Sequence, residues 1–143
     1  MIRDLRWLGL DWDEGPDVGG PCGLYRQSER MKADVYGAYA ERLLASGRAY
    51  RCFCTEDELE ASRQKAVDEG RNPQYDGTWR DADPAEVQRR LDEGEAHTVR
   101  FRVEPGQQVA IDDQVRGPVS WDAEATVGDF ILLRSNGMPV YNF

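Results

Sequence analysis

The stretch Gly128-Asp129-Phe130-Ile131-Leu132-Leu133-Arg134-Ser135-Asn136-Gly137-Met138-Pro139-Val140-Tyr141-Asn142-Phe143 holds two strand-like runs around one turn. The first run, Phe130 to Leu133, is apolar and stops at Arg134-Ser135-Asn136-Gly137. The second runs from Met138 to Phe143. Asn-Gly between two such runs predicts a β-hairpin, because both residues tolerate positive φ. A strand that stops on Val-Tyr-Asn-Phe leaves apolar side chains and a ladder edge uncovered. The expectation is a piece of a larger protein.

Upstream of the hairpin the pattern is also strand-like. His97 to Val103 alternates, with Val99, Phe101 and Val103 on one face and Thr98, Arg100 and Arg102 on the other. Val109 to Asp112 and Val119 to Trp121 predict two more short strands around the turn Asp113 to Pro118. Earlier segments are helical. Ser28 predicts an N-cap for a helix whose Met31, Val35, Ala38, Tyr39 and Leu43 share a face and whose end falls at Gly47. A strand candidate, Ala49 to Cys54, follows. Thr55 and Glu58 make a capping box for a second helix reaching about Asp68 or Glu69 and stopping at Gly70. Asp83-Pro84 starts a third, ending near Gly94. The first 27 residues open with a short helical segment and turn Gly- and Pro-rich. Helices followed by strands is an α+β pattern.

Composition narrows the class. The 143 residues carry 40% hydrophobic residues and four Trp, enough for a core. No apolar run approaches membrane-spanning length and the first residues are not a signal peptide, so no membrane partner is expected. The three cysteines are Cys22, Cys52 and Cys54; their odd number, and the closeness of the last two, fit a reducing compartment, the cytoplasm. A net charge of −9 argues against broad polyanion binding. Yet sixteen of the eighteen basic residues are Arg, the better bidentate phosphate ligand, so a local RNA site is compatible with an acidic whole. From composition alone, solvated surface charge is the favoured reading of those arginines.

Five motifs in order cover nearly the whole chain. They are Trp7-Leu8-Gly9-Leu10-Asp11-Trp12-Asp13-Glu14-Gly15-Pro16 with Tyr25-Arg26-Gln27-Ser28-Glu29-Arg30; Ala49-Tyr50-Arg51-Cys52-Phe53-Cys54; Tyr75-Asp76-Gly77; Asp113-Gln114-Val115-Arg116-Gly117; and Leu133 to Phe143. Together they resemble the middle of the catalytic region of glutamyl-tRNA synthetases. The resemblance implies an α/β fold with an α+β insertion. Residues 1–47 would be part of a Rossmann-like nucleotide-binding domain, 48–139 the connective insertion that grips the tRNA acceptor stem, and 140–143 the return strand.

The same resemblance assigns residues. Tyr141 lines the glutamate pocket. Arg100, Arg116, Arg134, Ser135 and, more weakly, Arg63 fall where the family contacts the acceptor stem, with Arg116 favoured because Arg-Gly-Pro fixes it at a turn. Cys52, Cys54 and Tyr75 match a family zinc pattern, but Trp79 stands where the third cysteine would fall and Asp81 where a last His or Cys would. Zinc wants four ligands, mostly thiolate or imidazole. No zinc is expected, and the two cysteines read as small, partly buried residues.

The activity implied is ATP- and magnesium-dependent ligation of L-glutamate to its tRNA through glutamyl-adenylate, by a monomeric enzyme. Neither ATP signature, His-X-Gly-His or a Lys-Met-Ser-Lys-Ser-like loop, occurs in these residues. No catalytic residue is therefore assigned within them, and the isolated chain is expected to be inactive. The acidic groups Asp11, Asp13, Glu14, Asp112 and Asp113 read as loop and turn residues. Two alternatives stay open: the glutamyl-queuosine paralogue that modifies a tRNA base, and a non-catalytic module that binds the acceptor end.

Overall fold

The computed structural model describes all residues from Met1 to Phe143, which fall into two compact units, Met1–Tyr36 and Gly37–Phe143. The first is mostly loop. It holds α1 (Ile2–Trp7) and α2 (Gln27–Lys32). The helix expected to start at a Ser28 cap instead has Arg26 as its N-cap, and the Glu29 carboxylate accepts the Arg26 N–H at 3.3 Å. Asp34, at φ 51°, interrupts the predicted continuous helix before α3 (Val35–Ala45). Asp visits this left-handed region more readily than most residues because its short carboxylate can bond locally.

The loop between α1 and α2 is held by acidic side chains. Glu14 accepts the Cys22 N–H at 2.6 Å and the Tyr25 hydroxyl, while Asp17 accepts the Trp12 Nε1–H at 3.0 Å and pairs with Arg6. These carboxylates staple a loop.

In the second unit the sequence expectations fare better. β1 (Ala49–Cys52) leads into α4 (Glu56–Asp68), whose capping box forms as its sequence requires: Thr55 Oγ1 accepts the Glu58 N–H at 3.2 Å, and Glu58 accepts the Thr55 N–H at 2.8 Å. Such a cap is worth about 1 kcal/mol. α5 (Pro84–Asp92) starts with Pro in its first turn, and Asp83 accepts the Ala85 N–H at 2.9 Å. β2 (Thr98–Phe101), β3 (Gln108–Asp113), β4 (Gly117–Asp122), the short α6 (Ala123–Thr126) and β5 (Ile131–Leu133) complete the chain.

The strands form two sheets. β1, β2 and β5 make an antiparallel sheet with β2 central, and β3 pairs β4 antiparallel from Gln108↔Asp122 to Asp113↔Gly117. Ala49, Val99 and Leu132 are the buried centre of the larger sheet, flanked by Leu43, Leu44, Phe101 and Phe130. Burying one Leu or Phe side chain is worth about 1.5–3 kcal/mol, so this small cluster is a principal tie between α3 and the sheet.

The closing turn differs from the expectation in detail. Gly137 takes φ 77° while Asn136 stays at negative φ; Gly137 N–H reaches Arg134 O at 2.8 Å, and Arg134 N–H reaches Met138 O at 2.9 Å. The second run pairs only through a single bridge, Leu133↔Pro139, and a Val140 N–H to Leu132 O bond of 3.0 Å. Pro139 sits at the non-hydrogen-bonded position of that bridge, so its missing N–H costs no ladder bond; the run ends because the chain turns, Phe143 N–H closing on Val140 O at 3.1 Å, while Phe130 O accepts the Phe101 N–H at 2.8 Å.

Candidate nucleic-acid interface and the cysteine cluster

β2 leaves the core through a break in register: Val99 faces Leu133 and Arg100 faces Ile131, so Leu132 has no partner. Arg100 is therefore aimed into the protein. It is only 5% exposed, so it sits beneath the surface at which the resemblance puts acceptor-stem contacts. Its guanidinium lies 3.8 Å from the centre of the Tyr75 ring, Nη1 donates to Asp129 O at 3.2 Å, and Nε has no partner. A buried polar group without a partner is costly, and a buried charge more so.

The carboxylate nearest to this region is already engaged. Asp129 Oδ1 accepts from Arg80 Nη1 at 2.6 Å and from the Val103 N–H at 2.8 Å, while Oδ2 accepts the Tyr50 hydroxyl at 2.7 Å. Burial, then Asp129, push the Tyr50 phenol well above its ordinary range. Arg80 Nη2 closes the arrangement on Val103 O at 2.7 Å. Neither Asp129 nor Arg80 was singled out from sequence. The signal was present in Gly-Asp-Phe, a lone acid opening an apolar strand, but its partners lie 26 to 79 positions away.

Tyr75 joins Arg100 to the cysteines. Cys52 Sγ donates to its hydroxyl oxygen at 3.4 Å, Cys54 Sγ lies 3.9 Å from the same atom, and the Trp79 N–H donates to it at 2.8 Å. Burial opposes ionisation of Cys52, but the Tyr75 hydroxyl, the Cys54 backbone and Arg100 outweigh it and hold that thiol below its ordinary range. Burial and the neighbouring Cys52 push Cys54 up to about 11. The sequence motif thus assembles in space.

A structural zinc site does not fit these residues. No group of three His, Cys, Asp or Glu side chains comes together. Trp79 packs on Phe53 with ring centres 4.9 Å apart, His97 packs on Phe53 at 5.2 Å, and Arg90 covers Trp79 at 4.7 Å. Asp81 is held by Arg102 at 2.8 Å. The positions expected for further ligands are occupied by an aromatic stack and an ion pair.

The other candidates lie at four places in the second unit. Arg63 and Arg100 line one cleft of about 330 Å³, together with Tyr75 and Asp129. Arg134 and Ser135 line a neighbouring cleft of about 580 Å³ with Cys52, Cys54 and His97; the two clefts share Leu59, Ile131 and Val140. Arg116 stands apart, exposed at the β3–β4 turn, where Asp113 Oδ1 accepts the Val115 and Arg116 N–H groups at 2.8 Å each. That Asx-type turn fixes the backbone beneath the guanidinium. Tyr141 is fully exposed, at 101%.

Exposed arginines thus stand at the β3–β4 turn (Arg116) and along the two clefts beside the three-stranded sheet (Arg63, Arg134). Over residues 1–143 the sequence matches the family described as tRNA synthetases class I (E and Q), catalytic domain, and the chain belongs to that family. It is 48% identical over 143 residues to a glutamate–tRNA ligase of Symbiobacterium thermophilum, covering 100% of this chain and 29% of that protein. It is 52% identical over 144 residues to glutamate–tRNA ligase 2 of Rubrobacter xylanophilus, covering 28% of it. The fold superposes with a TM-score of 0.86 and 32% identity on the crystal structure of a glutamate–tRNA ligase from Elizabethkingia meningosepticum in complex with its amino acid, covering 99% of this chain and 29% of that one. The chain thus spans under a third of the length of these relatives.

Proposed function

We propose that these residues are the acceptor-stem-gripping part of a glutamate–tRNA ligase that activates L-glutamate with ATP and transfers it to tRNA. The observation that carries the reading is the family match over the full 143 residues, with relatives of that name at 48% and 52% identity. Residues 1–47 are assigned to the nucleotide-binding domain, 48–139 to the connective insertion and 140–143 to its return strand. The enzyme is assigned to the cytoplasm as a monomer; no helix of this chain is long and apolar enough to cross a membrane.

Within this division Arg116, Arg134, Ser135 and Arg63 are the tRNA contacts. Guanidinium groups on a turn and a cleft edge suit phosphate oxygens, and the Ser135 hydroxyl adds a directional bond. Arg100 contributes its field from the cleft floor. Tyr141 bounds the glutamate side chain, its hydroxyl donating and its ring excluding water. ATP with magnesium supplies the activated phosphate when bound; neither ATP signature sequence lies in these residues, so the groups that hold it are assigned to the rest of the enzyme. Catalysis of this type is positioning and charge stabilisation.

Arg116→Ala in the whole enzyme tests the assignment. The variant is expected to weaken tRNA charging by about 1–3 kcal/mol, the worth of a hydrogen bond to a charged group, and to flatten the salt dependence by about one counterion. Glutamate-dependent ATP–pyrophosphate exchange is expected to stay unchanged. Loss of exchange with intact tRNA binding would overturn the division of labour.

A further inference from the structure

The cleft of about 580 Å³ between the start of α4 and the turn after β5 carries more chemistry than its two assigned tRNA contacts use. Its floor is apolar, built from Phe53, Leu59, Ile131 and Val140. Three side chains on its rim, Glu56, Arg134 and Ser135, are exposed and make no hydrogen bond or ion pair with the rest of the protein. A carboxylate and a guanidinium thus line one cleft without pairing with each other. His97, also on the rim, packs on Phe53 with ring centres 5.2 Å apart and is half-buried. Its Nδ1 lies 3.3 Å from Glu95 O, so in the neutral ring the proton sits on Nδ1. An apolar cavity of this size with a few convergent polar groups is the form of a small-ligand site.

We infer that this cleft binds a nucleotide, with its base on the apolar floor beside His97, its phosphate on Arg134 and Ser135, and the exocyclic amino group of cytosine or adenine donating to Glu56. Charge fixes that order. The first turn of α4 carries Glu56, Asp57 and Glu58, which repel a phosphate, whereas Arg134-Ser135-Asn136-Gly137 contains no acid. Guanidinium and hydroxyl groups suit phosphate oxygens. Histidine rings stack on unpaired bases. A carboxylate accepts from the N4 amino group of cytosine, while uracil presents an acceptor oxygen there and is disfavoured. Two sources share this chemistry, a free nucleotide and an unpaired nucleotide at the end of a tRNA. Only the second rests on the tRNA-gripping reading given above; a base inside a paired stem is not free to enter.

The test is titration of the 143-residue chain with CMP, UMP and cytidine, followed through the NMR ring signals of His97, the one histidine present. Neither ATP signature lies in this chain, so no ATP site competes for the probe. CMP is expected to shift those signals and to bind about 10-fold tighter than cytidine, the worth of a hydrogen bond to a charged group. UMP should bind about 10-fold more weakly than CMP. Arg134→Ala should remove the advantage of CMP over cytidine and leave cytidine binding as it was. Glu56→Gln should narrow the gap between CMP and UMP, because an amide both accepts and donates. A second arm compares tRNA with tRNA trimmed of its unpaired 3′ nucleotides. Weaker binding after trimming, with the His97 shift lost, assigns the site to the tRNA end; equal binding of the two, beside a CMP shift, assigns it to a free nucleotide. No His97 shift with CMP or tRNA, equal affinity for CMP and UMP, or an Arg134→Ala loss that is the same for CMP and cytidine would overturn the site. Failure of the acceptor-stem reading shows separately, as Arg116→Ala leaving tRNA charging intact.

Discussion

Arg80 and Asp129, 49 positions apart, form a 2.6 Å ion pair whose carboxylate side chain is 5% exposed and whose guanidinium side chain is 19% exposed. The pair ties the segment after Tyr75 to the entry of β5, and through Val103 and Tyr50 it also fixes the end of β2 and the start of β1. Removing one partner leaves the other charge buried and uncompensated. Asp129→Ala is expected to cost about 3–5 kcal/mol, read as a lowered urea midpoint at unchanged slope. A cost below about 1 kcal/mol, the value for an exposed pair, would mean that the carboxylate is not a structural hub.

Glu86 gives a pH signature. Hydrogen bonds from Arg89 and Arg90, 2.7 to 2.8 Å long, lower its pKa from 4.5 to about 2. A carboxyl depressed in the folded state contributes stability that is present above 4.5 and fades as pH falls toward 2. Melting temperature should therefore drop less steeply between those limits in Glu86→Gln than in the unaltered chain. Parallel pH profiles would show that the pairs on α5 contribute nothing measurable.

Trp79→Cys adds a third thiol beside Tyr75, whose hydroxyl already holds the residue-79 N–H at 2.8 Å. Three thiolates and a phenol approach the four-ligand set zinc prefers. Zinc content after dialysis should rise toward one per chain in this variant. Chelation should then lower its melting temperature, because metal affinity becomes folding energy. Equal zinc in both chains would show that Trp79 is not what separates them.

Tyr141→Phe in the whole enzyme removes one hydroxyl and keeps the ring. Loss of one hydrogen bond, about 1 kcal/mol, should raise the glutamate requirement in pyrophosphate exchange roughly fivefold and leave tRNA affinity unchanged. A selective loss of tRNA affinity would place Tyr141 on the RNA side.

Local rules determined most of the helices and strands. The Thr55–Glu58 box, Asp83 before Pro84, and Gly47, Gly70 and Gly94 at helix ends act within a few residues, so the sequence carries them in full. The family motifs were legible for the same reason, as contiguous strings. The break at Asp34 was missed because apolar periodicity continues across it while the backbone does not. The second hairpin run does not continue as a strand because the chain turns after Val140, its carbonyl taking the Phe143 N–H.

What only the tertiary structure decided concerns burial and charge partners. Alternation placed Arg100 on the face opposite Val99, and such a face is ordinarily solvent. Tyr75 and Asp129 cover it instead, and both are distant in sequence. The same holds for Asp129, which chain position alone leaves without any partner. Spacing says which side of a strand a side chain leaves by. What waits on that side is set by loop closures between segments, and no local pattern encodes them.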